Sequence, residues 1–379
     1  MSTHRVKPRG PLLRRRRPEA KNPRRLLVLA LATLLVAGAC GRGESAHQEV
    51  IDGLNQPRGL WLQADGTLCV AEAGRLAVGQ EVRAGPTANR ADTGSVTCVD
   101  PGGGRQRIID TLPYVLYNVT GVSTGPADLA EMAGDLYLLT GEGEGIFARK
   151  ILRLTGSGNP PEVVADFLAF AETAEPDFFD EIDVFSNPYS MIPDPEQRRF
   201  LVSDGATGWV LAVGLDGRIQ VFSEVEGHEV LTGIVRGPDG APYVTSFSQL
   251  PHSTGDGALL RLRPDGTFDV AVDGLTTPID VAFDGQGRLY VLEFIDGTET
   301  DHPYQGKTGR LLRFAATSAG WQDGQVLIDR LPFPTALLID GEDRIYVSIR
   351  GAFSPPESGA VVRFDDLAER PSGLPPLQF

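Results

Sequence analysis

Six copies of one strand pattern, tight Gly/Asp turns inside each copy, and an N-terminal segment that reads as the missing strand of the last copy predict an all-β chain. The predicted architecture is a six-bladed β-propeller closed by an N-terminal strand. Each copy has a Pro or similar turn residue, an apolar strand, a Gly/Asp turn, and a strand of the Leu-Tyr-Val type. The clearest copy runs over 274–283, turns at Gly285-Gln286-Gly287 and continues into Leu289-Tyr290-Val291. Others lead from Pro57 to Val70 and from Pro334 to Val347, and weaker ones end at Leu138, Val202 and Val244. A third strand begins near a Gly, as at 94–99, 257–262 and 309–314, and a turn such as Pro264-Asp265-Gly266 opens a fourth.

The last copy ends at strand 359–364 with no fourth strand of its own. Residues 49–54 precede the first copy and match the fourth strands that end at Asp110-Thr111-Leu112 and Asp273-Gly274-Leu275. That segment is expected to complete the last blade and leave no free sheet edge. The propeller is assigned to 49–366, and 367–379, with Pro371, Pro375 and Pro376, to a C-terminal tail. The units at 53–74, 186–204 and 274–293 resemble the ScyD/ScyE family of exported six-bladed propellers with NHL-like repeats. Ser186-Asn187-Pro188-Tyr189 is the most distinctive segment. The resemblance implies fold and export, and brings no biochemical activity with it.

The first forty residues follow other rules. Residues 1–25 hold ten Lys or Arg against one acid, Glu19, and 26–39 carry no charge. Fourteen residues are too few for a spanning helix, which needs about 20. A basic start, a short apolar stretch and small residues before Cys40 read as a secretory signal over 1–39. Ala37-Gly38-Ala39-Cys40 resembles a bacterial lipobox, which implies acylation of the Cys40 thiol at the head of a short linker, 40–48. Arg24-Arg25 also permits twin-arginine export. The expected address is the periplasm or the cell surface, with membrane contact through the lipid alone.

The whole chain has 35 basic and 50 acidic residues; without 1–39 it has 25 and 49, a net charge of −24. Such a surface repels nucleic acid, which is set aside as a partner. The expected partner is a small molecule or an envelope protein, and the expected state a monomer.

The long connections, 75–93, 141–148, 168–185, 247–256, 294–308 and 350–358, fall on one face, where each first strand begins. Long loops on a rigid scaffold are where binding concentrates. Two of them are acidic: one carries Glu172, Glu175, Asp177, Asp180, Glu181 and Asp183, the other Glu293, Asp296, Glu299 and Asp301. They read as a solvated surface or as a cation or docking patch. Two residues past the repeat Pro, a side chain should face the central channel, and that column reads Gly59, Asp128, Ser190, Gly233, Asp280, Ala336. Arg58, Glu72, Asn187, Asp204 and Glu293 lie near it in the repeat and join Asp128 and Asp280 as candidate ligand-binding residues. Asp128, Asn187 and Asp280 are the candidate ligands for Ca²⁺ or another hard cation, which takes six to eight oxygens. Alternatively, the repeat acids hydrogen-bond loop amides.

Six-bladed gluconolactonase-type enzymes hold a divalent cation at this mouth, and the chain resembles them at Asn187 and Asp280. It departs where their early Glu falls, near Pro57-Arg58. The histidines show no ligand spacing, and there is no Gly-x-Ser-x-Gly elbow. The reading is a non-enzymatic binding or scaffold module, with a metal-dependent lactonase-type hydrolase as the alternative. Cys69 and Cys98 fall on neighbouring antiparallel strands of the first blade, nearly opposite. They are expected to form a disulfide in an oxidising compartment, or else to be two buried thiols.

Overall fold

The computed structural model describes residues 47–76, 82–156, 158–174, 186–249, 252–296, 307–317 and 320–379, with Asp323 described by its backbone alone. The expected signal segment, Cys40, most of the acidic stretch 172–183, and Glu299, Asp301 and His302 lie outside them. Among the described residues no helix is long and apolar enough to cross a membrane.

Six antiparallel sheets follow one another along the chain. Blade one is Pro57–Leu62, Leu68–Glu72, Ala88–Val99 and Arg105–Tyr117, and blade two Pro126–Met132, Asp135–Thr140, Lys150–Arg153 and Glu162–Asp166. Blade three is Pro188–Asp194, Arg199–Asp204, Trp209–Gly214 and Ile219–Glu224. Blade four is Leu231–Arg236, Pro242–Ser246, Gly257–Leu262 and Phe268–Leu275, and blade five Pro278–Phe283, Leu289–Glu293, Gly309–Thr317 and Gly320–Leu331. Blade six takes Ala336–Ile339, Ile345–Ile349 and Gly359–Phe364 from the C-terminal end and Gln48–Leu54 from the N-terminal end. The closing strand runs antiparallel to Gly359–Phe364, with Gln48 opposite Arg363 and Leu54 opposite Gly359. The chain is a six-bladed β-propeller.

Strand alternation builds the core between blades. Every residue of Leu68–Glu72, Leu289–Glu293 and Ile345–Ile349 is buried, because a blade's second strand is covered on both faces. Cys69 faces Cys98 across two strands of blade one and is bonded to it, inside a cluster with Leu129, Leu138 and Leu152 of blade two. Hydroxyls stitch the last blade to the first: Thr335 Oγ1 donates to the Pro57 carbonyl at 2.6 Å and Ser348 Oγ to that of Arg58 at 2.9 Å.

Two segments are more ordered than their composition indicates. Part of the connection 75–93 is strand, since Ala88–Val99 and Arg105–Tyr117 pair as far as Ala88 opposite Tyr117. The C-terminal residues are docked on blade five: Leu377–Gln378 runs parallel to Gly320–Leu331, and Arg313 Nη1 and Nη2 donate to the carbonyls of Ala368 and Arg370, each at 2.8 Å. Phe379 stacks on His47 with ring centroids 4.7 Å apart. The prolines bar this stretch from a sheet interior but leave its carbonyls free as acceptors.

Candidate functional site

The innermost strands of all six blades line the central channel. In blades one to five, the register slips just past the first residue of that strand, as between Pro126 and Asp128 or Pro278 and Asp280. A bulge there re-aims the next side chain, and Gly59, Asp128, Ser190, Gly233 and Asp280 stand where it falls, while Ala336 completes the column from a regular strand. Neighbours in this column touch across blade seams. A Cβ on Gly59 would lie 2.6 Å from Asp128 Cα, and one on Gly233 would lie 2.7 Å from Asp280 Cα. Only glycine leaves room for the next blade's aspartate at these two places.

Each aspartate then ties its blade to the following one. Asp128 Oδ1 accepts the Leu129 amide at 2.8 Å, and its Oδ2 accepts the Met191 amide at 2.9 Å and Ser190 Oγ at 2.7 Å from blade three. Asp280 Oδ1 accepts the Val281 amide at 2.8 Å, and its Oδ2 accepts the Leu337 amide at 2.7 Å from blade six. Ala336 stands where Ser190 stands, and among the described residues no hydroxyl donates to Asp280. Burial pushes the Asp128 carboxyl up to about 6 against its three donors. Burial pushes Asp280 further, to about 8, with the charge of Asp128 adding to the rise against only two amides.

The other candidate acids turn away from the channel. Glu72 is fully buried at the end of a second strand, where it accepts the Asn55 amide at 2.7 Å and the hydroxyls of Ser95 at 3.1 Å and Thr97 at 2.5 Å. Asp204 accepts Ser186 Oγ at 2.5 Å and the amides of Asn187, Ala206 and Thr207. Glu293 accepts the Thr276 amide at 2.6 Å and pairs with Arg310. Burial raises the Glu293 carboxyl, and Arg310 opposes that rise. All three hold the connection that enters their own blade. Among the described residues no three of His, Cys, Asp and Glu gather as metal ligands. Of the expected set of Asp128, Asn187 and Asp280, all three line one cavity, both aspartates serve backbone amides, and Asn187 lies between Gly141 and Gly205 at the blade two–three seam.

What the channel does offer is space. A cavity of about 430 Å³ is lined by Arg58, Asp128, Asn187 and Asp280 among the candidate residues, and by Tyr117, Glu142 and Tyr189. That is a ligand-sized volume. Its walls differ. Just past the second strand the repeat carries Ala73, Gly141 and Gly205 in blades one to three but Phe247 and Phe294 in blades four and five. Phe353 joins them, with its ring 6.4 Å from Phe294 and 5.2 Å from Phe333, and Phe247 lies 6.1 Å from Phe294. Opposite are polar groups: Glu142, which burial raises, is 3.4 Å from Arg149 and close to the Tyr117 hydroxyl. The aromatic wall escaped the sequence reading because its rings come from separate loops. The repeat position shared by Phe247 and Phe294 was the available signal.

In the cavity wall, Arg58 Nη2 donates to the Ser123 carbonyl at 2.8 Å and to Ser123 Oγ at 3.3 Å. Burial lowers its guanidinium, and Tyr189 and Tyr114 partly restore it. Tyr189 feels Arg58, Asp280 and Asp128 together, which places the four groups in one neighbourhood, and burial raises its hydroxyl.

No family model matches the chain, and no curated protein matches it. Solved structures do. A Thermus thermophilus protein, named as a candidate oxidoreductase of the glucose dehydrogenase type, aligns over 84% of this chain and 98% of its own at 15% identity and a TM-score of 0.58. The PQQ-bound aldose sugar dehydrogenase of Streptomyces coelicolor aligns over 84% and 96% at 16% identity and a TM-score of 0.57. A candidate gluconolactonase aligns over 83% and 91% at 13% identity and a TM-score of 0.50. The likeness is one of fold. At these identities it carries no chemistry across.

Proposed function

We propose that this chain is an exported, lipid-anchored propeller that binds a small organic molecule in its channel cavity, at the cell envelope and without catalysing a reaction. The observation that carries the reading is the cavity of about 430 Å³ with a phenylalanine wall on one side and Tyr117, Glu142 and Asn187 on the other. Pockets of this size, mostly apolar with a few placed polar groups, are the usual form of a small-molecule site. The lactonase-type alternative needs an open cation position, and the acids it would use are engaged in holding loops and seams. Residues 1–40 supply the address.

Titration calorimetry of the full-length chain with indole, an uncharged flat probe, tests the cavity. Saturable binding is expected, and Phe353→Ala should weaken it about tenfold. No saturable binding to the wild-type chain would sink the reading. The anchor has its own check in cell fractionation, where Cys40→Ala should leave the membrane fraction. Equal retention of both forms would remove the lipid from the proposal.

A further inference from the structure

The cavity holds one charge that the protein leaves without a counter-charge. Arg58 makes no ion pair with a carboxylate among the described residues, and Ser123 takes only its Nη2. The neutral Tyr189 hydroxyl is its other polar neighbour, and the side chain lines the cavity. The acids nearby are accounted for differently, because every carboxylate oxygen of Asp128 and Asp280 already accepts an amide. Next to Arg58, the Tyr189 hydroxyl is buried and finds no acceptor for its proton. Around Arg58 the channel therefore presents a cation that no carboxylate among the described residues pairs, beside acids already engaged by backbone amides. A guanidinium taken out of water is costly unless an anion or several acceptors receive its protons, and planar carboxylates fit its fork best.

We infer that the cavity is built for an organic carboxylate with a flat apolar body, its carboxylate received by Arg58 and its body against Phe247, Phe294 and Phe353. This rests on the binding role proposed above and names the class of ligand. The aromatic wall and the guanidinium line the same cavity, so a ligand of about ten to fifteen heavy atoms reaches both within about 430 Å³. A sugar or a simple lactone has no group that uses the unpaired guanidinium so well. An organic cation would meet the like charge of Arg58.

The test is a matched pair of probes, indole-3-acetate and indole-3-acetamide, which differ in the charge of one group. Full-length chain is titrated with each at a pH below the Asp128 value of about 6, so that this acid is largely neutral. The acid should bind at least about tenfold tighter than the amide. Arg58→Gln should abolish that preference while leaving amide binding in place, and Arg58→Lys, which keeps the charge but loses the fork, should keep part of it. A thermal melt of each variant shows that it is folded. Equal binding of acid and amide to the wild-type chain overturns the inference, as does a preference that survives Arg58→Gln or a failure of the acid to bind. The binding role is judged separately by the uncharged probes: if they bind, the cavity reading stands even when the carboxylate inference falls.

Discussion

Blades one to three and blades four to six repeat one seam device with a single change. Gly59 makes room for Asp128, which reaches the Met191 amide of blade three. Gly233 makes room for Asp280, which reaches the Leu337 amide of blade six. Ser190 adds a hydroxyl to the first seam, and Ala336 adds nothing to the second. Burial acts on both carboxyls, yet one rises to about 6 and the other to about 8. Donor count contributes to the difference, because each donor favours the charged form. The charge of Asp128 widens the gap, since two carboxylates in one channel resist ionising together.

The largest expected effect tests whether the seams are equivalent. Gly59→Ala and Gly233→Ala each drive a methyl into the neighbouring aspartate's backbone and should each cost about 3 kcal/mol in chemical denaturation. A cost at one position and tolerance at the other would show that the seams close differently.

Replacing the acids themselves comes next. Asn keeps one acceptor oxygen, so Asp128→Asn and Asp280→Asn each orphan an amide, at about 1–3 kcal/mol. Their pH behaviour should differ. Both folded-state values lie above the ordinary carboxylate value, so the stability tied to each proton is full in acid and is lost as pH rises to the folded value. Melting temperature followed against pH should show Asp128→Asn removing the part of the wild-type decline that ends near pH 6 and Asp280→Asn removing the part that extends to about 8. Identical changes in both variants would mean that the two acids titrate alike.

The smallest effect isolates the hydroxyl. Ala336→Ser gives Asp280 the donor that Asp128 already has and should move the upper end of the pH decline downward, with about 1 kcal/mol or less in stability. Ser190→Ala should move the Asp128 end upward. If Ala336→Ser leaves the profile in place, the seams differ for a reason other than donor count.

The ring was legible because it is written in local, repeated signals: a Pro, a column residue, a Gly/Asp turn, and the spacing that sets Cys69 against Cys98. The closing strand was legible by its likeness to other fourth strands. The column order was also readable, since bulges recur at the same place in five blades. The destination of each oxygen was not. Glu72, Asp204 and Glu293 share a repeat neighbourhood with the channel acids, but they end second strands, where the side chain turns to the loop amides of its own blade. Nor was the cavity, whose wall joins Phe247, Phe294 and Phe353 from three loops. That Arg58 meets no carboxylate among the described residues is likewise encoded by no spacing.

The strand Gln48–Leu54 has a consequence for how the molecule is made. It is synthesised before any blade, yet its partner Gly359–Phe364 comes almost at the end of the chain. Five blades can form in order of synthesis while this strand waits with its backbone groups unpaired, and the ring locks only after release of the C-terminal residues. For most of its birth the chain is an open arc with two sticky ends. Folding of such a chain is slow at its final step, because the contact that completes it spans nearly the whole sequence.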